Sequence, residues 1–313
     1  MEVIRGSINL RPQHRSCVAT LGNFDGVHLG HQHVLRQLVA VAKQRNLPAT
    51  ILTTEPLSRE FFAPDTAPPR LTRLREKLSI FAAMGVDRVL CQRFNQALAN
   101  ISAEHFVENV LVKGLAVTHL ILGDDSRFGK GRQGDFELLQ RLGKQHHFTV
   151  EKSTSVLAAD GGRISSSRIR TALTAGDMNL TKTLLGRAYH MSGRIAHGDK
   201  RGRQLGFPTA NIHIKRRQTP VMGIFAVEIA GVADHALPGV ASIGVRPTFG
   251  GGRCLLEVYI FDFDGDIYGR HVDVYFHHKL RDEQRFDSVE ALVQQMYVDT
   301  QQAKDFFANR FAQ

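Results

Sequence analysis

The sequence contains only three cysteines, no tryptophan and no long apolar run. Cys17, Cys91 and Cys254 are widely separated, which excludes a disulfide framework and a paired-cysteine metal site and indicates a reducing compartment. The apolar runs are far shorter than the roughly 18–20 residues of a membrane-spanning helix. Residues 1–30 lack the basic, apolar and small-residue segments of a signal peptide. We therefore expect a cytoplasmic protein that does not associate with a membrane.

The composition is that of a folded protein of moderate size. At roughly 150 residues per domain, 313 residues suggest about two domains. A hydrophobic share of 42% and a charged share of 22% exclude intrinsic disorder. The net charge is +10, and +8 of it lies within residues 1–183. A basic surface suits phosphorylated small molecules as well as nucleic acid. The densest basic cluster, Lys215-Arg216-Arg217, is interpreted as a solvated turn.

The first part of the chain alternates β-rich runs with amphipathic helical segments. The predicted strands are residues 17–24, 49–54, 87–92, 117–123 and 148–153, and the predicted helices are residues 30–45, 71–84, 103–113 and 134–145. This alternation, with continuously apolar strands, predicts an α/β fold with a doubly wound parallel sheet. The ligand crevice of such a sheet lies beyond the carboxyl ends of its strands.

The pattern changes near residues 181–187, which divides the chain into predicted domains 1–183 and 184–313. The second part contains β-rich runs at 223–230, 239–244, 255–262 and 272–276, separated by turn residues. Few helix signals interrupt them, which favours an antiparallel barrel or sandwich. Asp264-Gly265 is typical of a hairpin turn. Apolar residues at helical spacing between Val289 and Phe307 predict a terminal helix that packs on this domain.

A His-x-Gly-His motif stands where the first predicted strand meets the first predicted helix. Backbone N–H groups and the positive end of the helix dipole make such a position a phosphate site. His28 and His31, with Gly30 between them, could both point at a triphosphate. The alternative is an ordinary turn with exposed histidines.

Two further segments have residues suited to phosphate or ligand binding. Residues 163–170 place three serines ahead of a basic helical turn, where they could cap the helix and bind phosphates, or form an ordinary N-cap with solvated arginines. Residues 123–129 follow an apolar run and contain two adjacent aspartates and an arginine.

Together these three segments resemble the adenylyltransferase half of bacterial bifunctional riboflavin kinase/FAD synthetases, within the HxGH nucleotidyltransferase superfamily. The resemblance implies that the phosphate of FMN attacks the α-phosphorus of ATP and releases pyrophosphate. It implies that His28 and His31 are catalytic and that Asp125 and Arg127 contact the flavin. The residues it assigns to ATP are Gly22, Asn23, Asp25, Ser165, Ser166 and Arg168.

The sequence departs from this family pattern at four positions. Thr54 stands where the pattern has phenylalanine. Leu57 and Ser58 stand where the pattern has histidine and proline, and Ser126 stands where it has an aromatic residue. These positions belong to the expected flavin side of the site, whereas the phosphate-binding residues match. A riboflavin kinase with an impaired FAD synthetase domain is therefore the alternative to a fully bifunctional enzyme.

A second group of candidate residues lies in the other domain. The glycine-rich segment 193–211 could present backbone N–H groups to phosphates. Thr209 and Asn211 are two apart, so their oxygens share one face of an extended strand and could bind Mg²⁺, or they could belong to a plain edge strand. Glu257 interrupts an apolar run, and a carboxylate there requires a partner or a function unless it faces solvent.

Residues 193–211, 239–251, 256–270 and 279–286 resemble the riboflavin kinase module of the same family. The resemblance implies a six-stranded antiparallel barrel with a C-terminal helix. It implies that Thr209 and Asn211 hold Mg²⁺–ATP and that Glu257 is the base acting on the 5′-hydroxyl of riboflavin. It also assigns Arg246 to the flavin. The residues expected at the ATP phosphates are Gly198, Lys200 and Gly202.

We therefore predict one chain that converts riboflavin to FMN and FMN to FAD, with ATP as co-substrate and Mg²⁺ as cofactor. A nucleic-acid-binding or tRNA-charging protein is the hypothesis from another class. It is disfavoured because the sequence has no Lys-Met-Ser-Lys-Ser-like loop and no basic stripe with interleaved aromatics. A flavin sensor without turnover is distinguished from the enzyme by an activity assay.

Overall fold

The computed structural model describes residues 1–197, 202, 205–216, 218–246 and 253–311. The chain divides into two compact units. The first consists of Met1–Pro68 and Thr72–Ser165, and the second of Pro69–Leu71 and Ser166–Gln313.

The first unit is built on a six-stranded sheet in which every pairing is parallel. Its strands are β1 (Glu2–Arg5), β2 (Cys17–Leu21), β3 (Ala49–Glu55), β4 (Arg88–Arg93), β5 (Val117–Leu122) and β6 (Thr149–Lys152). Their order is β1-β4-β3-β2-β5-β6, which confirms the predicted parallel sheet. The edge strand β1 is an addition to the predicted set.

Helices cover both faces of this sheet. They are α1 (Leu29–Gln44), α2 (Ser58–Phe62), α3 (Leu74–Ala83), α4 (Gln96–Asn100), α5 (Ala103–Phe106), which continues as a π-helix over Val107–Gly114, and α6 (Phe136–His146). Short 3₁₀ turns occupy Ser7–Asn9, Pro12–His14 and Lys130–Arg132. Residues of α1 and α3 pack in one apolar cluster, and residues of the π-helix and α6 pack in another. The doubly wound architecture is thereby confirmed.

The strand order creates a switch point beside β2. From β2 the chain runs to β3 and β4 on one side, and it returns to β5 on the other side of β2. In open parallel sheets the ligand crevice lies outside the carboxyl ends of the strands at such a point. The residues that follow β2 and β5 are therefore the first candidates for a site.

The second unit contains a closed antiparallel barrel, as predicted. Its strands are β7 (Tyr189–Ala196), β8 (Thr209–His213), β9 (Gly223–Ala230), β10 (Leu237–Arg246), β11 (Arg253–Ile260) and β12 (His271–Arg281), in the order β10-β11-β8-β7-β12-β9. Two helices precede it, α7 (Ser166–Ala175) and α8 (Met178–Leu185), and α9 (Val289–Phe311) follows it. Because β11 and β12 are not neighbours, the hairpin predicted at Asp264-Gly265 is wrong.

The two faces of the barrel strands have different roles. Alternate side chains such as Phe225, Ala241 and Leu256 are fully buried and fill the interior. The opposite face of β9 packs against α9 through Ala226, Ala303 and Phe307, which confirms the predicted terminal helix. Val289, at the start of α9, is exposed. Outward-facing residues of β8, β10 and β11 line a cavity together with residues of this helix.

The basic cluster near residue 216 differs from its sequence interpretation. Lys215 is exposed, but only 7% of Arg216 is accessible, and its guanidinium donates hydrogen bonds to the carbonyls of Arg70 and Leu71. Arg217 lies outside the described residues. The predicted solvated turn is therefore wrong for Arg216, because a buried guanidinium needs hydrogen-bond acceptors and finds them on a distant backbone segment.

Candidate active sites

The first candidate site is the histidine turn, residues 22–31, which connects β2 to α1. Strand β2 ends at Leu21 rather than at residue 24 because the backbone then turns sharply. Phe24, Gly26 and Val27 have positive φ angles of 49°, 84° and 41°. Such a backbone is rare for a β-branched residue and is strained. The turn therefore depends on its surroundings for its shape.

Thr72 supplies that support. One carboxylate oxygen of Asp25 accepts hydrogen bonds from the Thr72 N–H at 2.9 Å and from the Thr72 hydroxyl at 3.3 Å. The hydroxyl in turn accepts from the Gly26 N–H at 2.8 Å. Lys77, whose side chain is fully buried, donates to the Asn23 carbonyl at 3.0 Å. Because Asp25 is only 5% exposed, these bonds are shielded from water, and Thr72 acts as a clamp on the turn.

The two histidines lie together at the start of α1. His28 is the N-cap, and its Nδ1 accepts a hydrogen bond from the His31 N–H at 3.2 Å. The rings stack with centroids 3.6 Å apart. Because Nδ1 is the acceptor, the neutral His28 ring carries its proton on Nε2 and can donate it to an anion. A Cβ at Gly30 would lie 3.2 Å from the His28 ring, which explains the glycine of the motif.

The loop after β5 contains the residues expected at the flavin. Asp124 accepts from the Ser155 hydroxyl and from Arg163, and Arg163 also pairs with Asp125 at 2.8 Å. Arg127 pairs with Asp135, the N-cap of α6, at 2.9 Å. The backbone N–H of Leu138 and, after it, Arg127 lower the pKa of Asp135. A ligand that contacts Asp125 or Arg127 must share these ion pairs.

The serine-rich segment is split between the two units. The carbonyl of Ile164 lies 3.8 Å from the position of a Cβ at Gly30, which places the segment that ends at Ser165 beside the histidine turn. Ser166 begins α7, and both Ser166 and Arg168 belong to the second unit.

Several aromatic rings near the strand ends were missed by the sequence analysis. Phe61, Phe62 and Phe94 form a cluster with centroids 5.3–5.6 Å apart, and Phe62 is 64% exposed. Phe94 directly follows β4, and its N–H donates to the Glu55 carbonyl at the end of β3. Phe128 follows β5 and lies against Phe106. Only Phe94, two residues after the predicted strand 87–92, gave a sequence signal by its position.

The second candidate site is a cavity of about 300 Å³ on the outer face of the barrel, partly under α9. The strand register places Glu257 opposite Asn211 on one side and opposite Ser242 on the other. Thr209 lies opposite Tyr259 in the adjacent row. Directly opposite residues of antiparallel strands share a face, so a hydroxyl, an amide and a carboxylate meet in this cavity. The structure thus brings together Thr209, Asn211 and Glu257.

Gly202, ahead of β8, packs tightly against this row. A Cβ at Gly202 would overlap the carbonyl of Phe207 and would lie 3.3 Å from the Thr209 hydroxyl. Only a residue without a side chain fits there. Gly198 and Lys200 lie outside the described residues, as does the side chain of Arg246, whose backbone ends β10.

An ion pair forms another wall of the cavity. Arg281, at the end of β12, makes a bidentate contact with Asp299 of α9, at 2.8 and 2.7 Å. Asp299 is 3% exposed and also accepts from Gln295 at 2.9 Å. Nearby, burial raises the pKa of Glu283, and the Arg281 guanidinium opposes this rise. The pair fixes α9 against the barrel and therefore helps to fix the shape of the cavity.

The donor set in the cavity fits a hard divalent cation held by few protein ligands. Within the described part of the chain, no three His, Cys, Asp or Glu side chains come close enough to form a metal site on their own. Mg²⁺ commonly takes one or two protein oxygens and completes its shell with water and nucleotide phosphates. The oxygens of Thr209 and Asn211, next to the carboxylate of Glu257, suit that mode.

Two family models match the chain. One, described as FAD synthetase, matches residues 10–168, and the other, described as riboflavin kinase, matches residues 185–307.

Curated proteins match over nearly the whole chain. A protein of Pseudomonas fluorescens is 49% identical over 97% of both chains, and one of Escherichia coli K12 is 48% identical over 98% of both. Each is named bifunctional riboflavin kinase/FMN adenylyltransferase. A crystal structure described as a macrolide-efflux protein from Streptococcus pneumoniae matches with a TM-score of 0.79 and 29% identity, over 96% of this chain and 97% of that one.

Among the described residues, no helix has the length and apolar character needed to cross a membrane.

Proposed function

Because this chain belongs to the family of bifunctional riboflavin kinase/FMN adenylyltransferases, we propose that it carries out both reactions in succession. The barrel phosphorylates riboflavin to FMN, and the parallel-sheet unit joins FMN to the AMP part of ATP, which yields FAD and pyrophosphate. The observation that carries this conclusion is the presence of two separate sites, the histidine turn in one unit and the Asn211–Glu257 row in the other.

The functional boundary is proposed between residues 183 and 184. The matched family models leave residues 169–184 between them, and this segment contains most of α7 and α8. By their contacts these helices belong to the second compact unit. The first turn of α7, however, contains Ser166 and Arg168, which we assign to adenylyl transfer. Folding unit and functional half therefore differ by about one pair of helices.

In the kinase reaction, Glu257 is the proposed general base. Its carboxylate takes the proton of the ribityl 5′-hydroxyl while the oxygen attacks the γ-phosphorus of ATP, and ADP leaves. Gly202, with the preceding Gly198 and Lys200, is proposed to bind the ATP phosphates, and Arg246 the flavin. General-base assistance contributes typically about 10²–10⁴-fold to a rate. The cavity position of Glu257 between Asn211 and Ser242 supports this assignment.

The two families generally depend on a divalent metal ion. We assign Mg²⁺ as that ion and Thr209 and Asn211 as its protein ligands, because their oxygens share the face that borders the cavity. Bound there, Mg²⁺ neutralises charge on the transferred phosphates.

Asn211→Ala is expected to raise the Mg²⁺ concentration for half-maximal riboflavin phosphorylation by at least about 10-fold. An oxygen ligand is lost, and loss of even a residue that only orients a ligand typically costs about 10–100-fold. Metal titrations of the initial rate of FMN formation measure this effect. FAD synthesis from supplied FMN, assayed on the same preparation, serves as the control and should keep its Mg²⁺ dependence. An unchanged titration curve for riboflavin phosphorylation would contradict the assignment.

In the adenylyl transfer, the chain positions two charged reactants. His28 and His31 are proposed to donate hydrogen bonds to the ATP phosphates as pyrophosphate leaves. Ser165, Ser166 and Arg168 are also proposed to bind phosphates. Gly22 and Asn23 shape the phosphate pocket, and Asp25 maintains it through Thr72. No covalent enzyme intermediate is required, since alignment and charge stabilisation suffice for such transfers.

The flavin is proposed to contact the loop after β5 and the aromatic cluster of Phe61, Phe62 and Phe94. Asp125 and Arg127 provide polar contacts, and the exposed ring of Phe62 offers an apolar face. Flat aromatic rings stack favourably on such surfaces. Phe62 is thus the proposed stacking partner in place of the aromatic residue that Ser126 replaces. The family matches over both halves of the chain favour the bifunctional enzyme over the impaired alternative.

One incubation tests the whole proposal. Purified protein with riboflavin, ATP and Mg²⁺ should produce FMN first and FAD later, and chromatography separates the two flavins. FMN without FAD, at saturating ATP and FMN, would establish the kinase with an impaired adenylyltransferase. Release of neither product by a folded protein would refute both activities. A cytoplasmic location is proposed because Cys17, Cys91 and Cys254 are all free thiols and because ATP is a substrate.

A further inference from the structure

We call the segment Pro69–Leu71 the strap. It lies in sequence between two parts of the first unit, but by its contacts it belongs to the second unit. Its carbonyl groups are bound by side chains of that unit. Arg170 donates to the Pro69 carbonyl at 2.7 Å, and Tyr189 donates to the Leu71 carbonyl at 3.1 Å. Arg216 bridges the carbonyls of Arg70 and Leu71 through its two terminal nitrogens.

These contacts are buried, which makes them costly to break. Leu71 is fully buried, and Tyr189 and Arg216 are 3% and 7% exposed. A buried guanidinium or phenol that loses its acceptor retains the full cost of its desolvation. The strap is therefore held in one position by the barrel half of the chain. Tyr189 begins β7, and Arg216 follows β8.

The next residue after the strap is Thr72, which clamps the histidine turn. Its N–H and hydroxyl hold the Asp25 carboxylate, and its hydroxyl oxygen accepts from Gly26. The turn contains strained backbone at Phe24 and Val27. Strained conformations of this kind persist only where the surrounding structure over-determines them. The position of Thr72 is in turn limited by its covalent bond to Leu71.

We propose that Arg216 and Tyr189, two residues of the kinase half, are positioning residues for adenylyl transfer. They fix Leu71, and through Thr72 they set the geometry of the histidine turn. This inference rests on the proposed function, since it assigns to the turn the alignment of ATP. A displacement of about 1 Å at a reacting centre can cost about 10²-fold in rate. Substitutions in the kinase half that loosen the strap should therefore lower the kcat of FAD synthesis.

The test uses two separate single variants of the whole chain, Arg216→Lys and Tyr189→Phe. The first keeps the charge but cannot bridge two carbonyls, and the second removes only a hydroxyl. Each should lower the kcat of FAD synthesis from supplied FMN by about 10- to 100-fold. Riboflavin phosphorylation and the KM for riboflavin should stay within about twofold of wild type. Arg270→Lys is the control for an arginine-to-lysine exchange in the same unit. Arg270 is exposed and donates to the Val232 carbonyl, between β9 and β10, at 3.0 Å.

Amide hydrogen exchange gives a measurement that does not depend on turnover. The amides of Gly26 and Thr72 should exchange at least about 10-fold faster in both strap variants, and at the wild-type rate in Arg270→Lys. Unchanged exchange, or a kcat of FAD synthesis within twofold of wild type in both variants, would overturn the proposal. An equal loss of kinase activity would do the same, because it would indicate damage to the barrel. A wild-type chain that makes no FAD counts against the proposed function, while the exchange rates still decide the role of the strap.

Discussion

Replacing Glu257 by glutamine is expected to lower the kcat of riboflavin phosphorylation by about 10²–10⁴-fold, the usual contribution of a general base. Glutamine keeps the size of the side chain and its place between Asn211 and Ser242, but it cannot take the proton of the 5′-hydroxyl. The KM for riboflavin should change little, because the carboxylate accepts the proton in the transition state and not in the bound ground state. Initial rates of FMN formation from riboflavin and ATP measure the effect.

The second activity of the same polypeptide is the internal control for this variant. FAD synthesis from supplied FMN should proceed at the wild-type rate, which shows that the chain is folded. Glu228→Gln is the matched substitution, since Glu228 is also a half-buried glutamate on a barrel strand but does not line the cavity. It should leave both activities unchanged. A Glu257→Gln enzyme within threefold of wild type would remove the proposed role.

The parts of the fold that sequence predicts well are those in which local pattern and tertiary environment agree. Strand β2 and helix α1 were predicted because their apolar residues face the same buried cluster, among them Val18, Leu35 and Leu38. Strand β7 was missed because glycine weakens a strand pattern. Gly193 is nevertheless required there, since a Cβ would lie 2.5 Å from the Ile212 side chain on β8.

The errors came from contacts between distant residues. The predicted helix 71–84 begins only at Leu74 because Leu71 and Thr72 are bound elsewhere. Arg216 is separated from its acceptor Arg70 by 146 positions, so a charge run alone indicated a solvated turn. The same limit applies to the sites. The motifs located the histidine turn and the Asn211–Glu257 row, but the clamp by Thr72 and the exposed ring of Phe62 depend on folding.

In the first unit, a loss of kcat comparable to that of Glu257→Gln is expected on replacement of His28. His28→Asn should lower the kcat of FAD synthesis by about 10²–10³-fold, the usual cost of removing one donor aimed at charge that develops in a transition state. Asparagine is a good N-cap and can still accept from the His31 N–H, so α1 keeps its first hydrogen bond. The lost group is then the imidazole Nε2–H. Rates of FAD formation from FMN and ATP provide the measurement.

His33→Asn is the matched control, because it makes the same exchange five positions after His28, within α1 and beyond the histidine turn. It should retain wild-type synthesis of FAD, and both variants should retain riboflavin phosphorylation. If His28→Asn lowered both activities together, the loss would reflect misfolding. If it left FAD synthesis within threefold of wild type, the helix N-terminus and the backbone N–H groups of the turn would be sufficient for phosphate binding. The imidazole would then have no part in the transfer. We expect the loss instead, because the helix dipole alone supplies only about 0.3–1 kcal/mol.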